Sequence, residues 1–429
     1  TYSHKGVIML IHNASQLLTL AGDPQRGSDL GRLGIIPDGA ILIQAEQVVE
    51  TGSSIDMLKK YPHEPRLDAQ NRVVMPGFVD PHTHMVWAGD RAEEFELKLQ
   101  GKSYLEILAA GMGILSTVRQ TRSAGVDELA SQTRARALNM LKTGTTTAEV
   151  KTGYGLDTQS ELNELQAILL LDAEGPLEMI PTFMGAHAVP PEYKDDSDGY
   201  TRLICDEMLP AVRDWWRENT AGRPLPFVDV FCETGAFSLA QTRRILEKAQ
   251  EMGFPLKVHA DEFDNLGGAS LAVELGAISA DHLVKTSQAD IDALGGSNTV
   301  AVALPCTPFG LAEQQYTPAR AILNAGGILA IASDINPGVA WGESMQFVIA
   351  LACRYLRITP AQAIAAATIN AAAAVGASGR IGSLEPGKQA DMLILNVSDY
   401  RHLGYRFATN LVDTVIKKGW PVVRGQELV

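Results

Sequence analysis

The rhythm of apolar and polar positions changes twice along the chain. Between residues 6 and 50, short apolar runs (VIMLI, QLLTL, AILIQ, QVVE) are separated by turn signals such as Gly22-Asp23-Pro24 and Pro37-Asp38-Gly39. That pattern predicts short antiparallel strands. From Arg72 the run VVMPGFVD is continuously apolar, as expected of a strand buried on both faces of a parallel sheet. To about residue 380, similar runs alternate with helical segments. The predicted strands are Phe78–His84, Thr145–Lys151, Glu178–Ala186, Phe227–Glu233, Leu256–Ala260, Ala277–Leu283, Thr299–Pro305 and Ile328–Asp334. Helix starts are signalled by Thr158 with Glu161 as a capping box, by Ser238, and by the Thr317-Pro318 and Thr359-Pro360 pairs. An Ala-rich stretch, Thr359 to Val375, is predicted as one helix. After it, GRIGSLEPGKQADMLILNVSD returns to short strands and turns.

Eight strands alternating with helices fit an α/β fold of the (β/α)₈ (TIM) barrel type better than a doubly wound sheet, and no GxGxxG turn follows any strand. The two ends of the chain resemble each other and are expected to pair into a small β-sandwich. The predicted domains are therefore residues 1–74, sandwich; 75–380, barrel; and 381–429, sandwich again.

Composition narrows the partners. The chain has 429 residues, 46% hydrophobic and 20% charged, with a net charge of −14. No broad basic field exists to hold nucleic acid or an anionic membrane, although one or two local arginines suffice for a small anionic substrate. Cys205, Cys232, Cys306 and Cys353 are scattered without CxxC spacing, which points to a reducing, cytoplasmic compartment. The opening TYSHKGVIML has no leader-like pattern and no apolar run has transmembrane length, so a soluble protein is expected.

The active site of such a barrel lies at the C-terminal strand ends, so the residues found there are the informative ones. Strand one ends in His82 and His84; two in Glu149 and Lys151, with Tyr154 beyond; three in His187; four in Glu233; five in His259 with Glu262; six in Asp281-His282; seven in Cys306; eight in Asp334. His4, His12, His63 and His402 fall outside the barrel core. Any one of the barrel residues has an ordinary structural explanation, but scattering by chance does not place them all at strand ends. On a β-strand His82 and His84 leave one face, so both imidazoles reach one ion. With His259 and Asp334 they form a His₃Asp set suited to Zn²⁺ or iron. Such an ion lowers the pKa of bound water from ~15.7 towards ~7, the requirement for metal-assisted hydrolysis. Asp334 is the natural first proton acceptor, His282 is placed to support the attacking water and oxyanion, and Glu262 to shuttle a proton to a leaving nitrogen. A carboxylated Lys151 bridging two metals is a rival arrangement. It is disfavoured because the lysine follows strand two, and Lys151 and Glu233 read equally well as ion-pairing or ligand-orienting groups.

The PG-FVDPHTH opening, HADE at His259, SADH at His282, the SD pair at strand eight and the tail LEPGKQADMLIL resemble the amidohydrolase superfamily over nearly the whole chain. The longer strings DPHTHMVWAGDRAEEFELKLQGKSYLEI, EVKTGYGL, TFMGAHAVP and SDINPG are similar to the branch of that superfamily that acts in histidine breakdown. The resemblance implies hydrolysis of the cyclic amide C–N bond of 4-imidazolone-5-propanoate to N-formimidoyl-L-glutamate, with one Zn²⁺ or Fe³⁺ per subunit of a homodimer. It implies the same four ligands, His82, His84, His259 and Asp334. Its substrate residues fall on Arg91, Tyr154, His187, Glu262, Asn336, Gly338 and Val339. An arginine fork suits a propanoate tail, although Arg91 could equally pair with Glu93 or Glu94 on the surface. Tyr154 and Tyr104 could each offer a hydroxyl to the same carboxylate. The alternatives are a cytosine- or guanine-type aminohydrolase, which shares the core motifs, and a non-catalytic scaffold, which would usually lack a ligand.

Overall fold

The computed structural model describes residues 8–102, 106 and 112–429. All eight expected barrel strands form: β5 (Phe78–Asp80), β6 (Thr145–Lys151), β7 (Glu178–Ala186), β8 (Phe227–Cys232), β9 (Leu256–Ala260), β10 (Ser279–His282), β11 (Val300–Ala303) and β12 (Ile328–Ile331). Every neighbouring pair is parallel, in the order β5 to β12, the arrangement that a chain of β/α units gives. Several strands are shorter than their apolar runs. β5 ends at Asp80, so His82 and His84 stand on the irregular segment that follows it rather than on a strand face.

That segment closes the barrel. Asp334 N–H donates to the His82 carbonyl at 3.1 Å and His84 N–H to the Ile335 carbonyl at 2.9 Å. On the other side, Lys151 N–H donates to the Thr83 carbonyl at 2.9 Å. Below the seam, the buried Asp80 carboxylate accepts from the Ser333 N–H at 3.1 Å and from the Ser333 hydroxyl. Strands one, two and eight are thus laced together just where His82, His84 and Asp334 emerge. Backbone groups that would be orphaned at this depth are satisfied by the closure itself.

The two ends of the chain do pair. β1 (Ile8–Leu18), β2 (Ile35–Gln44), β3 (Gln47–Ser53) and β4 (Arg66–Pro76) join β13 (Met392–Leu395), β14 (Val412–Lys417), β15 (Trp420–Arg424) and β16 (Glu427–Leu428). They form one continuous sheet in the order β16-β15-β14-β13-β4-β1-β2-β3. The junction is the antiparallel pair β4 and β13, in which Leu393 faces Met75. Ile11, Leu17, Ile43, Val74, Met392 and Ile416 pack together on this sheet as a core separate from the barrel's.

Helix signals were realised unevenly. Ser238 with Gln241 and Thr359 with Gln362 form complete capping boxes. The helix after β6 instead starts from Asp157, whose side chain accepts from Ser160 N–H, because Glu161 turns inward to the loop before it. Thr317 is likewise diverted, its hydroxyl donating to the His282 carbonyl at 2.5 Å. The Ala-rich stretch is two helices, Pro360–Ala366 and Ile369–Ala374. The break falls at Thr368, a β-branched residue whose hydroxyl bonds back to the Ile364 carbonyl at 2.7 Å.

Lys417 ties the terminal sheet to the barrel. Its ammonium lies 2.7 Å from Asp391 and 3.0 Å from Glu178 at the start of β7, and Arg380 also pairs with Glu178. Burial pushes the Glu178 carboxyl up, but the Lys417 charge and the Arg380 hydrogen bond outweigh it and hold the group well below the usual carboxylate range. Lys417→Met strips the buried Asp391 of its charged partner and Glu178 of one of two, and should cost about 3 kcal/mol in urea denaturation at pH 7. Because the folded-state pKa of Glu178 is lowered, its contribution is full above the ordinary value of 4.5 and lost as pH falls below it. The stability gap between wild type and variant should therefore narrow in acid; an equal gap at pH 7 and pH 3 would contradict this assignment.

Candidate active site

Four buried side chains meet at the seam. His84 Nε2 lies 3.3 Å from His82 Nε2 and 3.2 Å from His259 Nε2, and Asp334 Oδ1 is 3.5 Å from His82 and 3.6 Å from His84. His282 joins from β10, so that His82, His259 and His282 form one candidate ligand triplet and His82, His84 and Asp334 another. The sequence-derived set His82, His84, His259 and Asp334 is brought together, with His282 as a fifth neighbour.

The protonation of the rings tests whether a cation fits. His82 turns Nδ1 to Asp281 Oδ2 at 2.6 Å, which fixes the proton on Nδ1 and leaves Nε2 as a bare lone pair. Asp229 Oδ2 lies 3.0 Å from His259 Nδ1, outside hydrogen-bond alignment, and its charge there favours a proton on that nitrogen. Burial and neighbouring positive charge hold His82 and His84 well below the ordinary imidazole range, so both are neutral. Two lone pairs therefore face a third ring nitrogen at hydrogen-bond distance, and at most one proton is available to lie between them. A metal ion among the three nitrogens and Asp334 resolves the conflict, and the donor set is one that suits it.

Each orienting carboxylate has its own buried lysine. Lys151 Nζ lies 2.7 Å from Asp229 and 2.8 Å from Glu149. Lys257 Nζ lies 3.6 Å from Asp281 and donates to Ser279 at 2.7 Å and to the Pro81 carbonyl at 3.3 Å. Burial opposes a charged Lys151, yet the carboxylates of Asp229 and Glu149 outweigh it and raise its pKa. The Lys151 ammonium is thus engaged by Asp229 and Glu149, the former of which stands beside His259. Glu233 accepts from the N–H groups of Phe263 at 2.9 Å and Asp264 at 3.1 Å, fixing the loop that carries Glu262. Asp229 and Lys257 were missed from the sequence, and Asp281 was noted there without a role. Their signal is a charged residue inside the apolar strands FVDVFC and LKVHA.

A cavity of about 140 Å³ opens over these ligands and is also lined by Arg91, Tyr154, His187, Glu262, Asn336, Gly338 and Val339. Arg91 both faces the cavity and pairs with Glu94, whose carboxylate takes Nε at 2.8 Å and Nη2 at 2.5 Å. Burial alone would raise the Glu94 carboxyl, but the hydrogen bonds from Arg91 and Lys98 hold it down at about 2. Nη1 sits where a Cβ on Gly338 would come within 2.6 Å, so a side chain at 338 would displace the guanidinium. The Asn336 amide is committed to its own loop: Oδ1 accepts from Gly338 and Val339 N–H, both at 2.9 Å, and Nδ2 donates to the Asp334 carbonyl at 2.7 Å. His187 donates Nδ1–H to the Gly153 carbonyl at 2.9 Å and stacks on His84 with ring centres 4.7 Å apart. Tyr104 lies outside the described residues.

Burial separates the two carboxyl groups nearest the ligands in character. Asp334 is pushed up to about 6 by burial, opposed by its hydrogen bond from Thr307 and by the neighbouring imidazole. Glu262 is driven well above the carboxylate range by burial and by the charge of Asp334, and it stands 3.5 Å from His282. Near neutrality the first is a carboxylate and the second a carboxylic acid, the division of labour that acid–base chemistry needs. Asp334 and His282 both hold left-handed backbone, φ +55° and +78°, a strain of order 1–3 kcal/mol each that the surrounding hydrogen bonds sustain.

Comparison with known proteins shows the family and the fold. The model of the Amidohydrolase family matches residues 73–422. Imidazolonepropionase of Herpetosiphon aurantiacus is 52% identical over 97% of this chain and 97% of its own length. That of Chloroflexus aggregans is 49% identical over 97% and 99%. Among solved structures, an adenosine deaminase from Xanthomonas campestris with bound zinc superposes with a TM-score of 0.67 at 20% identity, covering 98% of this chain and 94% of that one. A triazine hydrolase variant reaches 0.73 at 15% identity over 98% and 96%. These two speak for the fold. The chain belongs to the amidohydrolase family.

Asp281→Asn keeps the shape of the side chain but removes the charge that fixes the His82 tautomer. Metal affinity, measured by competition with a chromogenic chelator, should fall by about 10–100-fold with the circular dichroism spectrum unchanged. Wild-type affinity in this variant would show that the Asp281–His82 contact does not prepare a ligand.

Proposed function

From its membership of the amidohydrolase family we propose that this protein hydrolyses the cyclic amide C–N bond of 4-imidazolone-5-propanoate to N-formimidoyl-L-glutamate, the ring-opening step of histidine degradation. The single observation that carries the reading is one cavity holding both a His₃Asp cation cradle and an arginine edge for a carboxylate. The name shared by relatives at 52% and 49% identity supports the same substrate.

His82, His84, His259 and Asp334 would hold one Zn²⁺ or Fe³⁺. Such an ion, when bound, polarises the substrate carbonyl and lowers the pKa of water. The remaining chemistry belongs to side chains. Asp334, ionised near neutrality, takes a proton from the attacking water. His282 presents its imidazole to the oxyanion that develops as water adds to the ring carbonyl carbon. Glu262, still protonated, delivers its proton to the departing ring nitrogen as the C–N bond breaks, leaving a carboxylate on the former carbonyl carbon. Glu94 holds one edge of Arg91, so the guanidinium meets the propanoate tail already oriented. Tyr154 offers its hydroxyl to that carboxylate. His187, its Nδ1–H spent on Gly153, turns Nε2 to a ring N–H. Asn336 shapes the loop whose Gly338 and Val339 cover the ring.

His259→Ala should lose both metal and turnover of imidazolonepropanoate; full activity in a verified metal-free variant would contradict the scheme. Arg91→Ala should raise KM by about 10–100-fold with little change in kcat, the value of a hydrogen bond between charged groups. An unchanged KM would remove the tail from Arg91. Ammonia release from cytosine or guanine, in place of imidazolonepropanoate loss, would instead favour an aminohydrolase.

A further inference from the structure

The loop that carries Tyr154 is gripped on both sides by charged residues that touch neither the ligands nor the cavity. Its carbonyl groups face Arg122, on the helix Ile114–Ser123: Nε donates to the Gly155 carbonyl at 2.6 Å and Nη2 to that of Leu156 at 3.2 Å. Its N–H groups face two glutamates on the helix Thr158–Glu174. Gly155 N–H is shared between Glu161 Oε1 at 3.0 Å and Glu164 Oε2 at 2.9 Å, and Leu156 N–H goes to Glu161 Oε1 at 2.7 Å. Glu161 and Glu164, three apart and so on one helix face, are both fully buried. Glu161 Oε2 and Glu164 Oε1 have no hydrogen-bond partner among the described residues.

We propose that Arg122, Glu161 and Glu164 are positioning residues for substrate binding, clamping the backbone of Gly155 and Leu156 and so setting Tyr154 just before them and, through the Gly153 carbonyl, His187. The inference rests on the hydrolase reading above. Burying two carboxylates on one helix is costly, and apolar residues there would pack at lower cost to the helix. What the glutamates provide is acceptors for a loop whose backbone cannot relax: Gly153 and Leu156 hold φ of +116° and +55°, and a Cβ on Gly155 would lie 2.7 Å from Glu161 N. The consequence reaches the cavity at two points. Tyr154 immediately precedes the clamped residues, with its ring 5.2 Å from His187 and 6.2 Å from His84. The Gly153 carbonyl, the first of the loop, is the acceptor that selects the His187 tautomer. Arg122 also reaches Glu192 at 2.6 Å, on the turn Pro191–Tyr193 just beyond His187, so one guanidinium joins the loops after β6 and β7.

Burial drives the Glu161 carboxyl up to about 7 and, with the charge of Glu161, the Glu164 carboxyl well above its usual range, so the pair retains a proton near neutrality. Glu164→Gln is therefore the conservative replacement and Glu164→Ala the disruptive one. The experiment compares these two and Arg122→Ala in the metal-loaded full chain. It measures kcat and KM for imidazolonepropanoate, metal content, and the Kd of 3-(imidazol-4-yl)propanoate, an unreactive ring with the same tail. Both alanine variants should raise KM and Kd by about 10-fold or more, the effect of a small misplacement of binding groups, with kcat and metal content near wild type and Glu164→Gln restoring the wild-type values. Unchanged KM and Kd in the alanine variants, or loss of metal and kcat together, would overturn the clamp. Should Glu164→Ala fail to fold, Arg122→Ala, whose side chain is 23% exposed at the rim, decides the matter with the same readouts. A wild-type protein inert towards imidazolonepropanoate would overturn the substrate reading instead, and the two failures are therefore distinguishable.

Discussion

Two buried lysines, each behind an aspartate that orients an imidazole, are the interaction on which the site depends. Lys151 with Asp229 stands behind His259, and Lys257 with Asp281 stands behind His82. An unpaired charge at such depth costs several kcal/mol, and each lysine sets the opposite charge beside its aspartate. Each aspartate stands on the Nδ1 side of its imidazole. The other nitrogen is then left as a lone pair aimed at the centre of the site. A barrel interior usually filled by branched apolar side chains is here given over to two such relays, which links the packing of the core directly to the preparation of a cation site.

The second constraint is the closure of the barrel. His82, His84 and Asp334 come from the first and last strands, which meet only when the barrel closes, and the backbone hydrogen bonds that close it run through these same residues. Ligand geometry and barrel closure are therefore one event. The left-handed backbone at Asp334 and His282 is tolerated because that seam and the Thr317 hydroxyl hold it. Around the cation cradle, burial gives Asp334 and Glu262 opposite protonation near neutrality, and Glu94 keeps Arg91 aligned without consuming its whole donor set. The residues that line the cavity are thus stiffened from behind by groups outside its lining.

Much of this was legible in the chain because it is written in periodicity and position. Apolar runs of strand length marked all eight barrel strands, and the residues at their ends included every ligand candidate now found together. The likeness of the two chain ends anticipated their shared sheet. What was not legible is competition between partners. Thr317 and Glu161 carry helix-start signals, yet each has a stronger claim from a nearby loop. Arg91 has two candidate partners in the sequence, a ligand and a neighbouring glutamate, and the fold pairs it with Glu94 while leaving it on the cavity wall. Asp229 and Lys257 look like defects in apolar strands until the strand order sets them beside their partners, a relation no local window contains. Asn336 falls at the site by spacing, but only the loop geometry shows that its amide serves the backbone.

The Nε2 atoms of His82, His84 and His259 are spaced to surround a single ion. X-ray absorption at the metal edge of the purified, metal-loaded protein measures this without reference to activity. One ion per chain is expected, with three imidazole nitrogens and one carboxylate oxygen at about 2.0–2.2 Å and no second metal scatterer beyond them. A metal–metal distance of about 3.5–4 Å, or a shell without imidazole, would contradict the account.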